Sequence, residues 1–138
     1  MKPLIVALAL FCTSSTAADP YLPTDGERAG WTMFDMNSWR IALAAHKQDH
    51  GKFPDAKTLE EARAAIEPTY IAHAAMHDAW GHAYRYDLDG KGGYRIVSAG
   101  ADGTFQPDSW SRTGKSRDLN ADAVATGEGR WLSASWNW

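Results

Sequence analysis

Oxygen-bearing side chains alternate at Asp118, Asn120 and Asp122, and a further carboxylate, Asp102, stands between Gly100 and Gly103. A hard cation wants roughly 6–8 oxygens from carboxylates, amides and main-chain carbonyls. The two glycines leave the chain around Asp102 bare enough for carbonyls and one carboxylate to converge. The same residue types also make Asx turns in an ordinary solvated loop, and Asp87-Leu88-Asp89-Gly90 reads as turn chemistry of that kind.

Histidines form the second constellation. His46 and His50 lie four apart, as do His73 and His77. On a helix that spacing puts two imidazoles on one face, and two such pairs have the donor types of a zinc site. His46-Lys47-Gln48-Asp49-His50 has the outline of an inverted zinc-protease motif with Asp for Glu. That arrangement defines an alternative function, a small exported metal-dependent hydrolase using the His pairs. Against it, His50 falls at a helix end and the second pair in a loop. Ser98 and His82 lack a Gly-x-Ser-x-Gly elbow, and the chain has no phosphate-binding glycine loop. The expectation is a protein that is not an enzyme.

The elements that hold these residues follow from local signals. Thr24 and Glu27 have capping-box spacing and open a helix that runs to about Asp49, before Gly51. At 100° per residue, Trp31, Phe34, Ser38, Ile41, Ala42 and Ala45 fall on one side of it. Met36, Trp39, Leu43 and His46 fall on the other. A surface helix with a single core face needs only one stripe. The small Ala positions assign the Trp31 stripe to the sheet. Met36, Trp39 and Leu43 are then expected to point away, as a surface for a protein partner or self-association, or to be covered by the 131–138 tail.

Thr58 and Glu61 repeat the cap before a short helix with Leu59, Ala62 and Ile66 inward, ended at Pro68. The period then changes to two. Ala83 to Tyr86 and Tyr94 to Ser98 read as strands around a Gly-rich hairpin loop. Residues 100–130 read as a long ordered loop, and Trp131 to Trp136 as a third strand. The fold class is α+β, a long N-terminal helix packed on a small antiparallel sheet with a long acidic loop.

At 138 residues and 44% apolar content, the chain suits one domain with a real core. A net charge of −3 speaks against nucleic-acid binding, and the apolar content against disorder. Lys2, the apolar run Leu4 to Cys12 and the small residues Ser15 to Ala18 read as a signal peptide over residues 1–18. The run is too short for a stable membrane anchor. Cleavage after Ala17 or Ala18 leaves the domain 19–138, periplasmic or secreted, without its one Cys and with Lys2 lost, so that −3 becomes −4.

Four segments carry a resemblance. Ala45 to Pro54 closes a helix on Asp-x-Gly-x-aromatic-Pro. Asp78-Ala79-Trp80-Gly81-His82-Ala83-Tyr84-Arg85-Tyr86 has an Asp-Pro-Trp-Gly-Asn-Pro-Tyr-x-Tyr outline, with Ala79 for the usual Pro. Tyr94 to Gly103 ends in Ser-x-Gly-Ala-Asp-Gly, and Trp131 to Trp138 stands at a Trp-containing end. Over residues 27 to 110 the chain resembles the globular part of the type II secretion major pseudopilin, the G-type protein. The resemblance implies a non-enzymatic structural or interaction module linked to protein secretion or a pilus-like assembly. It also implies calcium in the loop after Gly-Ala-Asp-Gly, with Asp102 matching directly and Asp118, Asn120 and Asp122 as the further ligands. Pseudopilins begin with a short basic leader and an apolar stalk. Here a conventional signal peptide stands in that place, which points to a soluble relative.

Overall fold

A computed structural model describes residues 20–111, 115–127, 131–132 and 135–136. The signal peptide expected over 1–18 lies outside these residues. Helix α1 spans Asp25–His50. The Thr24 side chain accepts from the Glu27 N–H, and the Glu27 carboxylate accepts from the Thr24 N–H, so the expected capping box is formed. Gly51 ends the helix at φ 76°, and its N–H donates to the Lys47 carbonyl at 2.8 Å. Helix α2, Leu59–Ile66, is capped by Thr58 and buries Leu59, Ala62 and Ile66, as the sequence predicts.

Strands β1 (Arg85–Leu88) and β2 (Tyr94–Ser98) form the antiparallel hairpin, with Tyr86 opposite Ile96. The first strand begins two residues later than Ala83. Ala83 and Tyr84 pair instead with the preceding segment, through an isolated bridge to His77 and a bond from the Tyr84 N–H to the Met76 carbonyl.

The 100–130 segment is not the continuous loop that its composition suggests. It contains a 3₁₀ turn at Pro107–Ser109, strand β3 at Lys115–Ser116 and strand β4 at Ala123–Thr126. Strand β4 lies inside the sheet, whose order is β1-β2-β4-β5 with β5 at Trp131–Leu132. Both faces of β4 are covered, so Ala123, Val124 and Ala125 are all buried and no polar alternation marks the strand. The expected third strand is in fact two, because β6 at Ser135–Trp136 leaves the sheet and pairs in parallel with β3. The class remains α+β.

Tyr86, Tyr94, Ile96, Ala123 and Ala125 join the helices in the main core. Val97 and Val124 face the other way and pack under Trp110 and Phe105. Burial pushes the Tyr86 hydroxyl up to about 12.

Helix α1 turns the opposite face inward from the one expected. Met36, Trp39 and Leu43 are fully buried, whereas Trp31, Phe34 and Ile41 are 50%, 72% and 62% exposed. Polar needs decide the matter as much as area. The Trp39 indole N–H donates to the Ala75 carbonyl at 2.7 Å, and the Thr32 hydroxyl accepts from the Ala79 N–H at 3.0 Å. Ala29 supplies the close approach on this side, and Ala42, grouped by its spacing with the Trp31 stripe, is buried as well. Met36, Trp39 and Leu43 are therefore core, and they offer nothing to a partner. No described helix is long and apolar enough to cross a membrane.

Candidate functional site

One buried carboxylate organises the turn from the Met76 segment into the hairpin. Asp78 Oδ1 accepts from the backbone N–H groups of Trp80 at 3.1 Å and His82 at 2.9 Å. Gly81, at φ 90°, makes that tight return possible. Asp78 Oδ2 accepts from the Ser98 hydroxyl at 2.8 Å, and Ser98 Oγ in turn accepts from the Gly100 N–H at 3.2 Å. A carboxyl side chain this deep is tolerated only when its oxygens are satisfied, and these donors do that.

Ser98, Asp78 and His82 thus come together, yet not as a nucleophilic triad. The Ser98 hydroxyl is fully buried and bonded to the carboxylate rather than to the imidazole. His82 Nδ1 sits 3.0 Å from the Gly100 carbonyl and 3.7 Å from Asp78 Oδ1. The cluster is a brace between two segments.

Past the brace, the chain runs against the acidic loop. The Ala101 N–H donates to the Leu119 carbonyl at 2.8 Å. Gly100, at φ +73°, approaches so closely that an added Cβ would lie 2.5 Å from Leu119 O and 2.9 Å from Ala121 O. Asp102 is exposed, and its Oδ1 accepts from the Thr104 N–H at 2.9 Å. Asp118 Oδ1 accepts from the Asn120 N–H at 3.0 Å, with both residues exposed. These are the Asx turns that such residues form readily.

Asp122 is different. It is fully buried, and its Oδ2 accepts from the Gln106 N–H at 2.6 Å and the Trp110 indole N–H at 2.5 Å. Burial pushes its carboxyl above the usual range, the two hydrogen bonds pull against that shift, and the charge of Asp102 adds to it. The guanidinium groups of Arg85 and Arg95 lie 5.0 and 5.3 Å from the Trp110 ring. The Leu119 and Ala121 carbonyls lie against Gly100, two residues before Asp102. The donors suit a hard cation chemically. Among the described residues, no three His, Cys, Asp or Glu side chains gather to hold a metal.

Neither histidine pair gathers with further metal-binding side chains among the described residues. The His46 and His50 rings stack with centroids 4.2 Å apart, and the Lys52 carbonyl and Tyr70 hydroxyl lie within hydrogen-bond distance of them. His73 and His77 are exposed.

Sequence reasoning missed two residues that matter here. Asp78 is signalled by its place before Trp80-Gly81, and Trp110 by being a large apolar residue in a polar stretch.

A long capped helix on an antiparallel sheet, with two turns tied by one carboxylate, defines a small α+β domain. The family model of type II secretion system protein G matches residues 23–111, more than half of the chain, and the protein belongs to that family. No curated protein and no solved structure matches the chain. Type II secretion pseudopilins are structural proteins of the cell envelope, and the match agrees with the resemblance seen over residues 27 to 110.

Proposed function

We propose that this chain is an exported, non-enzymatic structural component of a type II secretion or pilus-like assembly, working through contacts with other proteins. The observation that carries this reading is the family match over 23–111, which spans the whole Asp78–Ser98–Gly100 brace. Export is supported by the signal-like residues Lys2 and Leu4 to Ala18. Cell fractionation with intact-mass analysis tests it. The expected result is a protein in the periplasm or medium beginning at Ala18 or Asp19, and a cytoplasmic protein retaining Met1 would overturn it.

A second part of the proposal is that calcium stabilises the loop, held by Asp102, Asp118, Asn120 and Asp122. What favours it is the charge coupling of Asp102 to Asp122 and the carbonyl-lined junction at Gly100. When bound, the cation would supply charge neutralisation at that junction. Binding to the folded state alone raises stability, by about 2.7 kcal/mol at a hundred times the dissociation constant. Melting with calcium and with chelator should therefore differ, and Asp102→Ala should abolish the difference. Identical wild-type melts would leave a plain Asx-turn loop.

A further inference from the structure

The exposed side of α1 carries its own pattern. Trp31, Phe34, Ser38, Ile41 and Ala45 follow one another at intervals of three, four, three and four, the spacing of a coiled-coil seam. The three large members are exposed, and no described element covers them. Ser38 and Ala45 are small enough to let a second helix come close. A seam of this period fits another helix better than a strand or a loop.

Charge selects the partner and its direction. With Trp31 at heptad position a, Arg28 and Asp35 both fall at e, on the flank between the seam and the core. Neither side chain forms a hydrogen bond or ion pair among the described residues, and Arg28 Nε is buried without a partner. In a parallel pair, e faces g of the other helix, and the g positions here are Gly30, Asn37 and Ala44, all uncharged. Reversing one helix swaps its flanks, so that e faces e. We propose that α1 pairs antiparallel with α1 of a second copy of this chain, about a two-fold axis passing between Trp31 and Phe34.

That arrangement sets Arg28 against Asp35 of the partner subunit, and by symmetry Asp35 against Arg28 of the partner subunit. Trp31 stacks on Phe34 of the partner subunit, twice. Ile41 comes level with the partner's lead-in, where Tyr21 and Leu22 are 68% and 76% exposed. Five of the six exposed large hydrophobics among the described residues then lie at this one interface, and only Leu88 lies elsewhere. Burial raises the Asp35 carboxyl, a shift that the partner's guanidinium would oppose. The inference concerns a second copy of the chain and goes beyond the secretion role. A monomer would overturn it and leave that role standing.

Sedimentation equilibrium of the purified protein over a wide concentration range tests it. The wild type should show a monomer–dimer equilibrium. Arg28→Glu and Asp35→Arg, each placing like charges at both contacts, should each weaken dimerisation about tenfold or more. The double swap Arg28→Glu with Asp35→Arg should restore it. So should mixing the two single variants, because each then meets its opposite in the other. Phe34→Lys, at a position exposed to solvent, gives a second route to the same loss without touching the core. A wild type that stays monomeric throughout overturns the proposal. Single variants that dimerise like the wild type, or a double swap that does not recover, also overturn it.

Discussion

The Ser98 hydroxyl donates to Asp78 Oδ2 at 2.8 Å, joining the turn before the hairpin to the end of its second strand. Both side chains are buried, and the same Asp78 holds the backbone of Trp80 and His82 through its other oxygen. One carboxylate thus shapes the turn and fixes where strand β2 leaves the sheet.

Ser98→Ala removes one donor to Asp78 and the acceptor for Gly100, and should cost about 1–3 kcal/mol. Asp78→Ala strands three donors in the interior, and should cost about 3 kcal/mol or more. Urea unfolding of both single variants and the double measures the coupling directly. Losses under about 0.5 kcal/mol would show that the brace is incidental.

The two faces of α1 should separate cleanly in melting experiments at low protein concentration. Trp39→Ala opens a cavity in the main core and should cost about 3–5 kcal/mol, and Leu43→Ala about 2–5 kcal/mol. Phe34→Ser and Ile41→Ser alter exposed positions and should stay within about 0.5 kcal/mol of wild type. The reverse order would restore the sequence expectation for this helix.

Gly100 and Gly90 share φ +73° but differ in their surroundings. Gly90→Ala meets open space and should cost only the conformational penalty, about 1 kcal/mol. Gly100→Ala drives a Cβ against the Leu119 and Ala121 carbonyls, and should cost about 2 kcal/mol or more. Equal effects in thermal unfolding would mean that the acidic loop does not press on this turn.

Glu67 provides the pH dependence. The Ala74 N–H at 2.5 Å and Arg63 Nε at 2.9 Å both donate to its Oε1 and hold its carboxyl below the ordinary value. A carboxyl lowered in the folded state adds stability that is present above its unfolded pKa and lost as the pH falls through its folded one. Glu67→Gln should therefore be less stable than wild type at neutral pH. The two melting curves should converge below about pH 4. A difference that persists unchanged into acid would contradict the sign.

Much of the fold was legible because its signals are local. Thr24 with Glu27, Gly51 and Thr58 mark helix ends through bonds made within a turn. Tyr94, Arg95 and Ile96 alternate as a strand should, although Val97 and Ser98 beyond them are buried too. The inward face of α1 was not legible. Both of its stripes have helical spacing, and the choice rests on the Ala75 carbonyl and the Ala79 N–H, which arrive from distant sequence. Strand β4 hid for a related reason, since Ala123-Val124-Ala125 is buried on both sides. At the loop, residue types marked Asp102 and Asp122 as neighbours in chemistry. They could not show that Trp110 would bury Asp122 and take one of its oxygens.

The most direct test of the secretion role is the release of type II substrates into the medium by cells lacking this chain, with and without its return on a plasmid. Secretion should fall and the substrates should collect in the periplasm. The wild-type chain should restore it, and Asp78→Ala, which loses the brace, should not. Secretion that continues unchanged without the chain, in cells that otherwise export it, would contradict the account.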